Sequence, residues 1–253
     1  MTDEVIVHEY RQVSFERPMV IVGFPSAGLI GPIAASFIVK SLKLDKIAAV
    51  LSDGFPPYAV IHEGVASPPV RIYSGHRVCD EHGERCEQVI VITCEFMPSS
   101  GLTRPMAEAI LDWCKSNDAN TIVSLEGMNV GENPEGKEVL AVATGDRCRQ
   151  MIATYGLKEL REGMVSGLSG VLLYEGERKE MDVICLLGPA RLDLPDARGA
   201  ARLLEYVARM LPELRIDPEP LYKEAETLEK EMKTAMEAIR RQAKPPEESV
   251  LYG

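Results

Sequence analysis

The stretch that decides the fold is Met19-Val20-Ile21-Val22-Gly23-Phe24-Pro25-Ser26-Ala27-Gly28-Leu29-Ile30-Gly31. Met19–Gly23 is apolar, of strand length, and closed by a turn signal, so it reads as a buried strand. The turn Phe24-Pro25-Ser26 leads into residues 27–42, a segment rich in Ala, Ile and Leu that reads as a helix. Working outward, the same alternation recurs. Strands are expected over 46–52, 58–63, 70–74, 88–94, 120–125, 137–144 and 181–187, and helices over 103–117, 146–155, 167–174 and 196–210. Thr103 is the expected cap of the second helix, with Pro105 in its first turn. Strands that alternate with helices in this way predict an α/β fold, a layered and mostly parallel sheet flanked by helices. No internal repeat is visible.

Bulk properties narrow the function classes. The chain has 253 residues, 45% hydrophobic and 26% charged, as in ordinary soluble globular proteins. Its net charge of −11, without a basic stripe, argues against a nucleic-acid partner. The longest apolar runs are strand-sized, which predicts no membrane span. The acidic opening Met1-Thr2-Asp3-Glu4 lacks the basic region of a secretory signal, so a cytoplasmic location is expected.

Six cysteines are present, at positions 79, 86, 94, 114, 148 and 185. Cys94 and Cys185 fall in strand-like runs and read as small buried thiols. Cys79, His82 and Cys86 lie close in sequence but offer neither a CxxC pair nor a fourth ligand, so a polar hairpin is expected there and no metal. A Cys79–Cys86 disulfide is conceivable if the two face each other across that hairpin.

Two loops are candidates for ligand chemistry. The first carries Gly23, Ser26, Gly28 and Gly31 between a strand and a helix, where a doubly wound sheet holds an anion. The Rossmann fingerprint needs glycine where Ser26 stands, and no Gly-Lys-Ser/Thr follows. The alternative role of these glycines is close helix–strand packing. Asp53, at the end of the next strand, is placed to imitate a ribose-binding acid. The second loop, Ser124-Leu125-Glu126-Gly127-Met128-Asn129, offers Glu126 to a sugar or base, although Gly and Asn also suit plain turns. No nucleophile–base motif is found, and Ser166-Gly167-Leu168-Ser169-Gly170 is not a nucleophile elbow. His62 reads as a strand residue. No cofactor is expected.

Beyond Arg215 the pattern changes. Asp217-Pro218-Glu219-Pro220 signals a helix start, and Leu221, Ala225, Leu228, Met232, Ala235 and Ile239 follow at spacings of 4, 3, 4, 3 and 4. That is a coiled-coil-like seam, which packs either on its own domain or on a second subunit; an ordinary amphipathic surface helix fits the pattern equally. Pro245 and Pro246 then stop the helix and extend the chain. The expected divisions are a core over 1–215, a helix over 216–243 and a tail over 244–253. The last residues, Leu251-Tyr252-Gly253, are either a frayed end or a plug whose side chains fill a pocket while the carboxylate finds a cation or backbone N–H groups.

The run Gly23–Gly31, then Ile33-Ala34-Ala35-Ser36, Asp53-Gly54-Phe55-Pro56-Pro57, His62-Glu63-Gly64 and Pro69-Val70-Arg71-Ile72-Tyr73, resembles the proteasome assembly chaperone 2 family in its archaeal form. Glu126-Gly127 and the stretch from Gly163 to Gly170 fit the same family, so the resemblance covers about residues 15–210. Ser26 departs from it, since many relatives have glycine there. The resemblance implies a fold similar to purine nucleoside phosphorylases. It implies chaperone action and not catalysis, by homo-oligomers that bind 20S proteasome α-subunits. It also gives the tail a role. A hydrophobic–tyrosine–any-residue C-terminus enters pockets between α-subunits, its carboxylate meeting a lysine, and Leu251, Tyr252 and Gly253 match those positions. The alternative expectation is a nucleoside-phosphorylase-like or nucleotide-binding enzyme that uses the Gly23–Gly31 loop.

Overall fold

The structure, a computed structural model, describes residues 4–62, 64–131, 138–191 and 194–226. In chain order, β1 (Ile6–Glu9) and β2 (Met19–Gly23) precede α1 (Ile30–Ser41) and β3 (Asp45–Leu51). Then come β4 (Val60–His62), β5 (Val65–Ser67), β6 (Val70–Ser74), β7 (Val78–Cys79), β8 (Cys86–Glu87) and β9 (Val89–Cys94). The second half runs α2 (Ser100–Ser116), β10 (Thr121–Asn129), β11 (Leu140–Ala143), α3 (Gly145–Thr154), β12 (Lys158–Glu159), α4 (Gly167–Arg178), β13 (Asp182–Ala190) and α5 (Ala197–Met210).

One mixed sheet carries the fold, in the order β1-β3-β6-β9-β2-β10-β13-β11-β12. Its centre, β9-β2-β10-β13, is parallel, and antiparallel strands flank it on both sides. Every residue of β9 is buried, as a strand covered on both faces requires. On one face α1, α3 and α5 pack on Ile21, Val123, Leu125, Ile184 and Leu186. On the other, α2 and α4 pack on Val20, Val22, Ile90, Ile122 and Val183. Each Leu or Ile sealed in these layers contributes about 1.5–3 kcal/mol. The expected layered α/β architecture is therefore present.

Several local expectations are corrected. The segment from Ala27 is not one helix: a 3-10 turn, Ala27–Leu29, precedes α1, because Gly28 (φ 64°) and Leu29 (φ 51°) take left-handed backbone. α2 starts three residues early, with Ser99 as its extended cap residue, so Thr103 lies inside the helix and donates its hydroxyl to the Ser99 carbonyl at 2.8 Å. Residues 126–129 are not loop but the end of β10, held by pairing with Leu187 to Ala190 of β13. Asp53 is no counterpart of a ribose-binding acid, since two strands, β6 and β9, lie between β3 and β2, and β3 runs antiparallel to β6. β4 and β5 form a separate hairpin where one strand was expected, and His62 is exposed on it.

Cys79 and Cys86 pair across the β7–β8 hairpin and are disulfide-bonded. Cys94, Cys114, Cys148 and Cys185 are buried and free. Past α5, residues 219–226 are helical, and Leu221 and Ala225 pack into the α5 face of the core. Tyr222 donates to Glu205 of α5 at 2.6 Å. Leu228, Met232, Ala235, Ile239 and the tail Leu251, Tyr252, Gly253 lie outside the described residues.

Candidate functional site

The strand-to-helix turn after β2 is shaped by close packing. A Cβ on Gly23 would stand 2.4 Å from the Gly31 carbonyl oxygen, and one on Gly31 would stand 2.5 Å from that of Leu125. Only glycine lets α1 sit this low on β2 and β10. Gly28 faces Ala190 and Asp196, whose Cβ atoms would each lie 3.0 Å from an added Cβ. Asp196 caps α5 by accepting from the Gly199 N–H at 2.7 Å. The space beside Gly28 is thus filled by the Ala190 and Asp196 side chains and the Arg191 carbonyl oxygen. These close approaches are what the packing role expected for the glycines requires.

Ser26 does something a glycine could not. Its Oγ accepts from the Gly127 N–H at 2.8 Å, tying the first turn to the end of β10. The join is tight enough that a Cβ on Gly127 would stand 1.9 Å from the Ala27 carbonyl oxygen. This clamp fixes the neighbouring residue, Glu126. Ser124 and Glu126 lie two apart on β10 and therefore share the face that α4 covers. The Ser169 hydroxyl, in the first turn of α4, donates to Glu126 Oε2 at 2.6 Å. Ser124 Oγ and Ser169 Oγ lie 2.7 Å apart. α4 is held in place by Glu175, which accepts from Arg104 of α2 at 2.5 Å and from Arg178 at 2.6 Å.

Burial pushes the Glu126 carboxyl up to about 7, with the Ser169 and Ser26 hydroxyls offsetting part of that shift. Cys185 pairs with Ser124 in register, and burial followed by the nearby Glu126 charge raises its thiol well above the ordinary range, so it stays neutral.

Glu126 opens onto a cleft of about 760 Å³, within the range of small-molecule sites. The cleft lies outside the carboxyl ends of β2, β9, β10 and β13, between the first turns of α2 and α4. After β2 the chain crosses to the α1 face and after β9 to the α2 face, so this is a switch point of the sheet, where open α/β folds bind ligands. Its walls include Phe24, Met97, Met128, Leu160, Met164 and Leu187. Met97 and Met164 are 68% and 96% exposed. Among the described residues lining the cleft, Glu126 is the one ionisable side chain.

The structure thus brings Ser26 and Glu126 together and leaves Gly23, Gly28 and Gly31 as supports. Ser124 and Met128 fall in the second candidate loop of the sequence, whereas Met97, Met164 and the role of Ser169 had no signal there, since Ser169 reaches Glu126 only through α4 packing.

Comparison with known proteins places this architecture. MJ0106, an uncharacterized protein of Methanocaldococcus jannaschii, is 29% identical over 253 residues, all of both chains. The crystal structure of PbaA from Pyrococcus furiosus, described as an archaeal homolog of proteasome-assembly chaperone, matches with a TM-score of 0.82 at 32% identity, over 94% of this chain and 95% of that one. PbaB of the same organism, described as an archaeal proteasome activator, matches with a TM-score of 0.79 at 25% identity, over 93% of this chain and 100% of that one. The PAC2 family model matches residues 20–236. The chain belongs to the PAC2 family.

Proposed function

We propose that this protein is a cytoplasmic proteasome assembly chaperone or regulator, acting without catalysis, that binds 20S proteasome α-subunits as a homo-oligomer through Leu251, Tyr252 and Gly253. The observation that carries the reading is the near full-length likeness to PbaA at 32% identity. The terminal tripeptide supports it, since it supplies an aliphatic side chain, a ring and a carboxylate at successive positions. Leu221 and Ala225 anchor the base of the last helix on the core. In this proposal the remaining seam positions serve subunit contact and the Pro245-Pro246 spacer serves presentation of the tail. Several tails on one oligomer raise the effective concentration of each after the first has docked.

The test is binding of isolated α-subunits to the full chain, to a chain lacking Leu251–Gly253 and to Tyr252→Ala, with oligomer mass measured in parallel. Binding is lost in both variants while the mass is unchanged. Undiminished binding by the truncated chain overturns the tail as anchor, and a monomeric mass overturns the multivalent arrangement.

A further inference from the structure

We propose that the cleft between β10, α2 and α4 binds a small primary amine with an apolar or aromatic body, the ammonium group pairing with Glu126 and the body lying among Met97, Met128 and Met164.

Three observations meet here. First, a carboxylate shielded from water costs free energy unless a cation or several donors compensate it. Glu126 receives the Ser169 hydroxyl, and Ser26 stands beside it, but among the described residues no lysine or arginine lines the cleft. A cation supplied by a ligand is the missing partner. Second, the cleft has room for a small molecule and is open to solvent at the Met97 and Met164 side. Third, its walls are mainly apolar and rich in methionine, whose unbranched thioethers adapt to flat or irregular bodies. Anionic ligands are disfavoured by the same carboxylate, which separates this site from the carboxylate chemistry proposed for the tail.

The groups facing Glu126 are the hydroxyls of Ser169 on α4 and Ser26 in the first turn, with the Cys185 thiol of β13 behind them. None of these changes charge near neutrality. Affinity for an amine therefore follows the ionisation of Glu126 itself and rises as pH passes through about 7.

The experiment titrates the full chain, carrying 13C-methyl methionine, with benzylamine, benzyl alcohol and benzoate. These probes share a ring and differ in charge. The ε-methyl signals of Met97, Met128 and Met164 report the place of binding. Benzylamine shifts those signals and binds about tenfold or more tightly than benzyl alcohol, while benzoate leaves them unmoved. Glu126→Gln removes the advantage of the amine and leaves weak alcohol binding. Met164→Lys, a change at an exposed position that does not burden folding, weakens benzylamine alone. Equal affinity for amine and alcohol, no movement of these methyl signals, or an amine preference that survives both substitutions overturns the proposal. None of these outcomes bears on α-subunit binding, so the two readings fail separately.

Discussion

Ser169 on α4 and Glu126 on β10, far apart in sequence, share a 2.6 Å hydrogen bond that seals the sheet side of the cleft. The bond joins the first turn of a helix to the end of a parallel strand, and it partly offsets the burial that raises the carboxyl.

The first consequence is a pH dependence. Glu126 titrates near 7 in the folded chain against an ordinary value of 4.5. Between those values the folded state holds more protons than the unfolded state, so stability falls as pH rises. The contribution is complete below about 4.5, declines through the interval and is gone above about 7, a change of up to about 3 kcal/mol. Urea unfolding between pH 5 and 8 should show the wild-type chain losing stability relative to Glu126→Gln. Parallel curves would mean that Glu126 is ionised throughout.

Removing the donor acts in the opposite register. Ser169→Ala takes the hydroxyl from Glu126 and also strips Ser124 of its neighbour at 2.7 Å. A hydrogen bond to a charged acceptor is stronger than one to a neutral acceptor, so the loss is larger at pH 8, about 1–3 kcal/mol, than at pH 5. The Glu126 titration also moves upward, because the Ser169 bond lowers it. A penalty equal at both pH values would assign Ser169 a packing role only.

Glycine substitutions separate contact from conformation. Gly127→Ala drives a Cβ to 1.9 Å from the Ala27 carbonyl oxygen, a backbone atom that cannot swing away. We expect a loss of about 3 kcal/mol or more, with the Ser26–Gly127 tie broken. Gly101→Ala, in the first turn of α2 with nothing within 4 Å of the new methyl, should be neutral or stabilising by up to about 1 kcal/mol. Thermal unfolding of the pair decides the matter; a mild Gly127→Ala would show that the first turn can shift outward.

How much of this was legible in the sequence depends on which interaction carries each feature. β2 reads correctly at both ends, because an unbroken apolar run bounded by Gly-Phe-Pro records burial on both faces. β1 is missed because an exposed edge strand, Ile-Val-His-Glu, gains its order from pairing with β3 and leaves no period of its own. The end of β10 looks like a loop because Glu126-Gly127-Met128-Asn129 has turn composition, yet pairing with β13 overrides that preference. Glu126 stands out from the sequence as a lone acid after an apolar run. Its partner Ser169 does not: Ser-Gly-Leu-Ser-Gly has local meaning only once Gly170 is seen making room for the Val165 carbonyl, where a Cβ would come within 2.2 Å.

The disulfide hairpin is coupled to the root of the last helix. Glu87, beside Cys86, accepts the Glu213 N–H at 2.8 Å, just before the chain turns toward residues 219–226. The Cys79–Cys86 bond closes a loop with a sequence separation of 7. Chain-entropy reasoning assigns a loop of that size about 2.5 kcal/mol, through restriction of the unfolded chain. Replacing both cysteines by serine should lower stability by about 2 kcal/mol and speed amide exchange at Glu213, because Glu87 is then held less firmly. The hairpin also has a cross-link of its own, since the Asp80 carboxylate accepts from the N–H groups of His82, Glu84 and Arg85. If exchange at Glu213 is unchanged in the double variant, Asp80 alone keeps the hairpin shaped, and the disulfide acts on the unfolded chain without reaching the helix root.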